Sequence, residues 1–182
     1  MARKVENHYI YLTVITACFL FTRLLRLDSV PFTSWGMHID ELGAAYDAWC
    51  IQGWGVDRHL IHMPVYFYNT GIGQSALYTY TAAIIFKFFG FSLFKYRIVA
   101  VIYAFIAFVC LYFLSRLIYG KSLHALIPIS LMTVMPVFMM SEHWGLDCYL
   151  FLSMSIVSMS SLVYAVMEEK IRILRCLAYF GA

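Results

Sequence analysis

Charged residues are scarce in this sequence, and this scarcity excludes a soluble globular domain. Of the 182 residues, 13% are charged and 63% are hydrophobic, and the mean hydropathy is +0.77. A soluble domain of this length needs more polar surface to cover its core. The uncharged runs are long and do not alternate in polarity, so they predict membrane-spanning helices rather than the strands of a barrel.

Several signatures of other protein classes are also missing. The five cysteines show neither a CxxC motif nor a metal-ligand spacing, and the histidines show neither HExxH nor HxxxH. No basic run suits a nucleic acid. No small-residue cleavage site follows the first apolar run, which predicts an uncleaved helix instead of a signal peptide. We therefore expect no nucleic-acid partner and no resident metal, and a disulfide between Cys50 and Cys148 stays open.

Four uncharged runs are long enough to cross, or nearly cross, a bilayer of ~30 Å. The predicted spans cover about 9–27, 98–118, 123–141 and 148–167, and a fifth begins at 176. The sequence ends inside this fifth run, so we expect residues 1–182 to be the N-terminal part of a longer transmembrane domain. The expected fold is an all-α polytopic transmembrane helical bundle.

Residues 74–94 pose a question of topology, because they can form either another span or a surface segment. If they do not cross, the short inner segments are all basic, as the positive-inside rule requires. We therefore expect a cytoplasmic N-terminus and one long outer loop, 28–97, which holds two amphipathic helices on the membrane surface. The inner cations are then Arg3, Lys4, Arg116, Lys121, Lys170, Arg172 and Arg175.

The outer loop contains an acidic stretch, in which Asp40 and Glu41 are neighbours and Asp47 follows. On a helix over 39–52, Asp40 and Asp47 fall on one line. The apolar side chains on the opposite side are Leu42, Tyr46 and Trp49. We interpret Asp47 as a solvated acid on a surface helix. Adjacent carboxylates near a low-dielectric surface suit general-base chemistry, in which one acid takes a proton and the other positions the reacting group.

The order of motifs in this loop resembles the first outer loop of bacterial membrane glycosyltransferases of the GT-C superfamily. The similar branch contains the protein O-mannosyltransferases and the aminoarabinose transferases. The turn SEHWGLDCYL resembles the second outer turn of that family, through Ser141 and Asp147. The matching positions in the loop are Arg26, Pro31, Asp40–Glu41, Gly53, Pro64–Val65–Tyr66–Phe67, Leu77–Tyr78, Phe89–Gly90 and Arg97.

This resemblance implies transfer of a sugar from a polyprenyl-phosphate donor to an acceptor hydroxyl, at the outer face of a bacterial plasma membrane. Asp40 resembles the catalytic base, Glu41 would orient the acceptor or the base, and Asp147 matches the supporting acid of the second loop. Arg97 and Lys95 are candidates to contact the leaving phosphate. The other substrate-binding candidates are Tyr78, Arg58, His38 and Glu142.

The chain departs from the family pattern at two positions. Gln74 precedes the Leu77–Tyr78 motif where the aminoarabinose transferases have a lysine, and Glu142 follows Ser141 where an arginine is usual. The sugar and the acceptor therefore stay open. No cofactor is expected, although some distant members of the superfamily use a divalent ion. A lipid-linked saccharide transporter or flippase fragment and a non-catalytic scaffold are the alternatives, and we expect residues 1–182 alone to be inactive.

Overall fold

The computed structural model describes residues 2–29, 37–69 and 72–167, which are mostly helical. The predicted fifth span at 176, Cys176 and Pro31 lie outside these residues. The described elements are the helices α1 (Ala2–Leu24), α2 (Ile39–Trp54), α3 (Ala76–Phe89), α4 (Leu93–Tyr119), α5 (Ile127–Val134), α6 (Pro136–His143) and α7 (Asp147–Met167), a 3-10 helix (Leu123–Leu126), and the strands β1 (Tyr66–Asn69) and β2 (Ile72–Ser75).

Within the described residues, two helices are long and apolar enough to cross a membrane. These are α4 and α7, with mean hydropathies of 2.6 and 1.9 over their most apolar windows. Helix α1 has 23 residues but is not among them, because it contains polar residues such as His8 and Arg23. The structure thus agrees with membrane association and gives fewer spanning helices than the sequence predicts.

A third candidate span is broken in the middle. The 3-10 helix with α5 and the following α6 pass the same test together, but they are bent by 54°. The break lies at Met135, whose backbone is extended (φ −69°, ψ 125°) because Pro136 disfavours a helical conformation in the residue before it. The pair is therefore either one kinked span or a re-entrant segment, where the sequence predicts one span over 123–141.

The chain divides into two compact units, and the described residues of the first are 2–22, 103–139 and 152–167. Its core forms around Phe19 of α1, whose ring lies 4.7 Å from that of Phe108. Ala104 and Ala107 have almost no exposed surface. Small side chains of this kind let neighbouring helices approach closely, which is how apolar helices associate in a membrane.

The second unit contains residues 23–102 and 140–151 and includes α2, the hairpin and α3. Helix α2 packs against α3, and these are the two helices that the sequence predicts in the outer loop. The β1–β2 hairpin between them was not predicted. Its strands pair antiparallel, with Tyr66 opposite Ser75 and Phe67 opposite Gln74.

Candidate functional site

The acidic pair lies in the first turn of α2. His38 caps this helix with an extended backbone, and its Nδ1 accepts the Asp40 N–H at 3.3 Å. Asp40 and Glu41 thus stand where the helix dipole favours negative charge. The helix ends at Gly55, whose φ of 69° is the left-handed conformation typical of a helix C-terminus.

The two neighbouring acids do not form a carboxylate pair, because consecutive residues of a helix point in different directions. The Asp40 side chain is 31% exposed. The Glu41 side chain is 2% exposed and makes a bidentate ion pair with Arg97, through Nε–Oε1 at 2.6 Å and Nη2–Oε2 at 2.8 Å. One acid is therefore accessible to a substrate and the other belongs to the interior of this unit.

Arg97 joins three segments of the second unit. Besides Glu41, it donates from Nη1 to the carbonyls of Leu27 and Ser29, at 3.2 and 2.7 Å. Glu41 Oε1 also accepts the N–H of Gly145, at 3.0 Å. The sequence predicts that Arg97 contacts a phosphate. In the structure all three of its guanidinium nitrogens donate to protein oxygens, so the side chain links segments of this unit.

Asp147 is the first residue of α7, and its carboxylate is held by the hairpin. The N–H of Ser75 donates to Asp147 Oδ2 at 2.5 Å. The preceding turn is fixed as well, since the buried Tyr96 hydroxyl donates to the Gly145 carbonyl at 2.8 Å. Asp147 as a residue remains partly exposed, so an acid held by the hairpin is not fully buried.

Asp40 is attached to the same hairpin. Asn69 Nδ2 donates to the carbonyl and to Oδ1 of Asp40, at 3.2 and 3.3 Å, and Gln74 Nε2 donates to the carbonyl at 3.4 Å. Since Gln74 and Ser75 are consecutive in β2, Asp40 and Asp147 bind adjacent residues of one strand. We call these five residues, Asp40, Asn69, Gln74, Ser75 and Asp147, the carboxylate site.

An aromatic pair lies beside this site. The rings of His38 and Trp144 are stacked, with centroids 5.8 Å apart and planes 23° apart. His38 Nδ1 lies 3.5 Å from Asp40 Oδ2. The sequence predicts His38 as a substrate-binding residue; in the structure it is half exposed, next to the accessible acid, and it also caps α2.

Two further substrate-binding candidates have other partners. Tyr78 is 1% exposed and donates its hydroxyl to the Tyr96 carbonyl at 3.0 Å. Burial raises the pKa of Tyr78 well above its usual value, so this phenol stays protonated within the interior of its unit. Lys95 is near the start of α4, and its Nζ donates to the Phe89 carbonyl at the end of α3.

Glu142 is also a predicted substrate-binding residue, and it is buried. Its Oε2 lies 2.5 Å from Arg23 Nε, and the two side chains are 3% and 0% exposed. Arg23, in the last turn of α1, was not among the predicted site residues, and its side chain is buried. The sequence predicts that Glu142 contacts a substrate. In the structure its carboxylate is paired with Arg23 instead.

Asp47 is a buried acid, whereas the sequence predicts a solvated acid on a surface helix. Its side chain is 1% exposed, with Arg58 Nη2 at 3.1 Å and the Arg58 N–H donating at 3.0 Å. Burial raises the pKa of Asp47, and the bonds from Arg58 oppose this shift. A helical wheel tells which residues share a face, but it does not tell which face is covered. The apolar stripe of Leu42, Tyr46 and Trp49 is the exposed one.

A groove of 520 Å³ opens between α2 and β1, and we call it the α2 groove. Its lining is mostly apolar and includes a cation, Arg58, whose Nη2 donates to the Tyr68 carbonyl at 3.1 Å. Its floor is Gly43, where a Cβ would lie 2.6 Å from Arg58 Nη1 and 2.7 Å from Asn69 Oδ1. The lining residues are Ile39, Leu42, Gly43, Tyr46, Arg58, His59, Tyr68 and Asn69.

Asn69 and Gln74 were not predicted from the sequence as site residues. The signal for them was a pair of short segments, YFYN and IGQS, on either side of the dipeptide Thr-Gly, which is the sequence pattern of a hairpin. In the part of the chain that the structure describes, no group of three histidine, cysteine or acidic residues could hold a metal. Cys50 and Cys148 are both free thiols, so the open disulfide is not formed.

Comparisons with known proteins do not assign this chain to a family. No protein-family model, no curated protein and no solved structure matches this chain. The resemblance to membrane glycosyltransferases therefore stays a prediction from the sequence motifs.

Proposed function

We propose that the chain is part of a membrane glycosyltransferase that moves a sugar from a polyprenyl-phosphate donor to an acceptor hydroxyl. The observation that carries this proposal is the attachment of Asp40 and Asp147, which are far apart in sequence, to consecutive residues of one strand. Two fixed and partly exposed acids suit general-base chemistry, in which one acid takes a proton and the other supports it. The motif order supplies the substrate class by resemblance.

Asp40 is the proposed catalytic base. It would take the proton of the acceptor hydroxyl while the acceptor oxygen attacks the anomeric carbon of the donor sugar. The bond from that carbon to the lipid phosphate breaks, the phosphate leaves with the electron pair, and the anomeric centre is inverted. Asp147 would hold the sugar or the acceptor beside Asp40, because its position is fixed by Ser75.

Glu41 and Arg97 act as positioning residues in this proposal. Their buried ion pair ties the first turn of α2 to the turn before α7 through Gly145. Both proposed reacting acids stand directly beside these two anchored segments. The pair therefore acts on the reaction through the placement of Asp40 and Asp147.

The α2 groove is the proposed place for the phosphate end of the donor. A leaving phosphate gains negative charge, and a preorganised guanidinium stabilises that charge. Arg58 lines this groove and is 22% exposed, although it also pairs with Asp47 and bonds the Tyr68 carbonyl. Arg97 is 2% exposed, and all its nitrogens donate to protein oxygens. The apolar lining from Ile39 to Tyr46 suits the isoprenoid carbons next to the phosphate.

The proposed location is a bacterial plasma membrane, with several spans, a cytoplasmic N-terminus and the carboxylate site facing outward. The support is the basic composition of the short inner turns and the exposed apolar stripe of α2, which fits a helix lying on lipid. The lipid environment and the polyprenyl-phosphate sugar are the proposed partners.

The positions of ionisable residues favour an enzyme over a transporter. In α4 the charged residues lie near the two ends, at Lys95, Arg97 and Arg116, and in α7 the only one is Asp147 at the first position. A transporter that couples ions to substrate movement places such groups near the middle of the membrane. This distribution of charged residues supports a reaction at the membrane surface.

The proposed function is tested by a transfer assay with Asp40→Asn. The assay uses the full-length protein in membranes, a radiolabelled polyprenyl-phosphate sugar and membrane extract as acceptor source. Removing a general base costs typically 10²–10⁴-fold in rate, so we expect turnover to fall by about that factor. Asp28→Asn, which changes an exposed acid outside the site, is the matched control. Turnover by Asp40→Asn equal to that of the control would refute the proposal.

A further inference from the structure

The β1–β2 hairpin places two amide side chains on its buried face. In β1, Phe67 and Asn69 are buried and alternate with the exposed Tyr66 and Tyr68. Residues opposite each other in an antiparallel pair point to the same side of the sheet. Gln74 is opposite Phe67, so it shares the face of Phe67 and Asn69.

These buried amides have one common partner. Asn69 is 3% exposed and Gln74 is 7% exposed. Asn69 Nδ2 donates to the carbonyl and carboxylate of Asp40, and Gln74 Nε2 donates to the same carbonyl. Burying an amide is costly unless it is hydrogen-bonded, and an apolar residue would fill these places at lower cost. Both side chains thus donate to Asp40, the residue proposed as the base.

The next residue of β2 holds the second acid. Ser75 donates its N–H to Asp147 Oδ2. Gln74 and Ser75 are consecutive, so both acids are attached to one short segment of β2, Asp40 through a side-chain amide and Asp147 through a backbone N–H. The tight β1–β2 contact, in which the Tyr66 ring covers Gly73, keeps this strand in one register.

We propose that the hairpin is a positioning element for the two acids, with Asn69 as the residue that orients the Asp40 carboxylate. This inference depends on the proposed function for its catalytic meaning. It adds a role for Asn69 and Gln74, which neither the loop motifs nor the acidic pair indicates. Asn69 is a positioning residue because it acts on the reaction through Asp40.

The contact itself is tested by nuclear magnetic resonance, independently of any activity. The chain has two asparagines, Asn7 and Asn69, and two glutamines, Gln52 and Gln74, so selective ¹⁵N labelling gives four side-chain amide signals. In lipid nanodiscs, we expect Asp40→Ala to move the Asn69 signal and to leave that of Asn7 unchanged. Equal behaviour of the two asparagine signals would overturn the inference.

The positioning role is tested by steady-state kinetics in the complete protein. Asn69→Asp keeps the shape of the side chain but removes the donor, and the new carboxylate can pair with Arg58, which also approaches Gly43. We expect kcat to fall on the order of tenfold or more, as for a lost hydrogen bond to a charged group, and the donor KM to change as well, because Asn69 lines the α2 groove beside Arg58. Gln74→Glu is the second variant, with a smaller loss of kcat expected because Gln74 bonds only the backbone of Asp40. Gln74 is not among the groove residues, so in Gln74→Glu we expect a donor KM within about twofold of wild type.

Controls separate this inference from the proposed function. Val65→Ala changes a 91% exposed side chain directly before β1 and is expected to keep the wild-type kcat. If Asp40→Asn is inactive while Asn69→Asp and Gln74→Glu turn over at the wild-type rate, the hairpin inference is wrong and the proposed function stands. If Asp40→Asn turns over normally, both are wrong. A loss of kcat in Asn69→Asp that adds nothing to Asp40→Asn supports the inference.

Discussion

The buried ion pair of Glu41 and Arg97 allows a quantitative prediction about stability. Each side chain is 2% exposed, and the two carboxylate oxygens accept from Nε and Nη2. Removing one partner of a buried pair leaves the other charge unpaired and costs ~3–5 kcal/mol. We therefore expect Glu41→Ala to destabilise the protein by about that amount, or to lower Tm by roughly 6–20 °C for a chain of this size.

The double variant Glu41→Leu/Arg97→Met gives the sharper comparison. Replacing both charges by apolar side chains of similar size is often close to neutral, but the carbonyls of Leu27 and Ser29 would lose their Arg97 donor. Each unsatisfied group costs ~1–3 kcal/mol. We expect the double variant to be more stable than Arg97→Met, which loses the same two carbonyl bonds and also leaves the Glu41 charge buried without its partner.

The assay is unfolding of the protein in lipid or mild detergent, followed by circular dichroism for wild type, Glu41→Ala, Arg97→Met and the double variant. The coupling energy between the two sites is expected to be large and favourable. The reasoning would be refuted if Glu41→Ala lost less than ~1 kcal/mol, or if the double variant were as unstable as the sum of the single ones.

Two other predictions concern the donor and the topology. Arg58→Gln should raise the donor KM by about tenfold or more, since it removes the guanidinium from the α2 groove; an unchanged KM in a transfer assay would exclude this groove as the phosphate site. Asp40→Cys, in a variant without the native cysteines, should react with a membrane-impermeant maleimide added to intact cells, because the Asp40 side chain is 31% exposed and we propose that it faces outward. Reaction only after the cells are broken would place the acid on the inner side and contradict the proposed function.

Periodicity predicted the parts of the structure that depend on local sequence. The helix expected over 39–52 is present as Ile39–Trp54, and the ambiguous segment forms the short apolar helix Ala76–Phe89. The apolar run after Arg97 lies within Leu93–Tyr119. These elements are predictable because a helix satisfies its backbone locally and its polarity pattern repeats along the chain.

The partners of the acids were not predictable in the same way. Asp40, Glu41 and Asp47 stand on one helix, yet they bind Asn69, Arg97 and Arg58 respectively. Those partners are 11 to 56 residues away. Sequence spacing on a helix gives directions around an axis, whereas the partner in each direction depends on which segment packs there.

The amino-acid sequence by itself determined the helical class and the apolar character of α4 and α7, because backbone satisfaction in an apolar chain leaves few alternatives to a helix. It also determined that two separate segments carry candidate site acids, Asp40 and Glu41 in one and Asp147 in the other. Only the tertiary structure decided which acid is buried, which is accessible, and that one hairpin holds both Asp40 and Asp147. The physical reason is that burial and charge pairing are properties of contacts between distant segments, and these contacts arise when α2, the hairpin and the turn before α7 pack together.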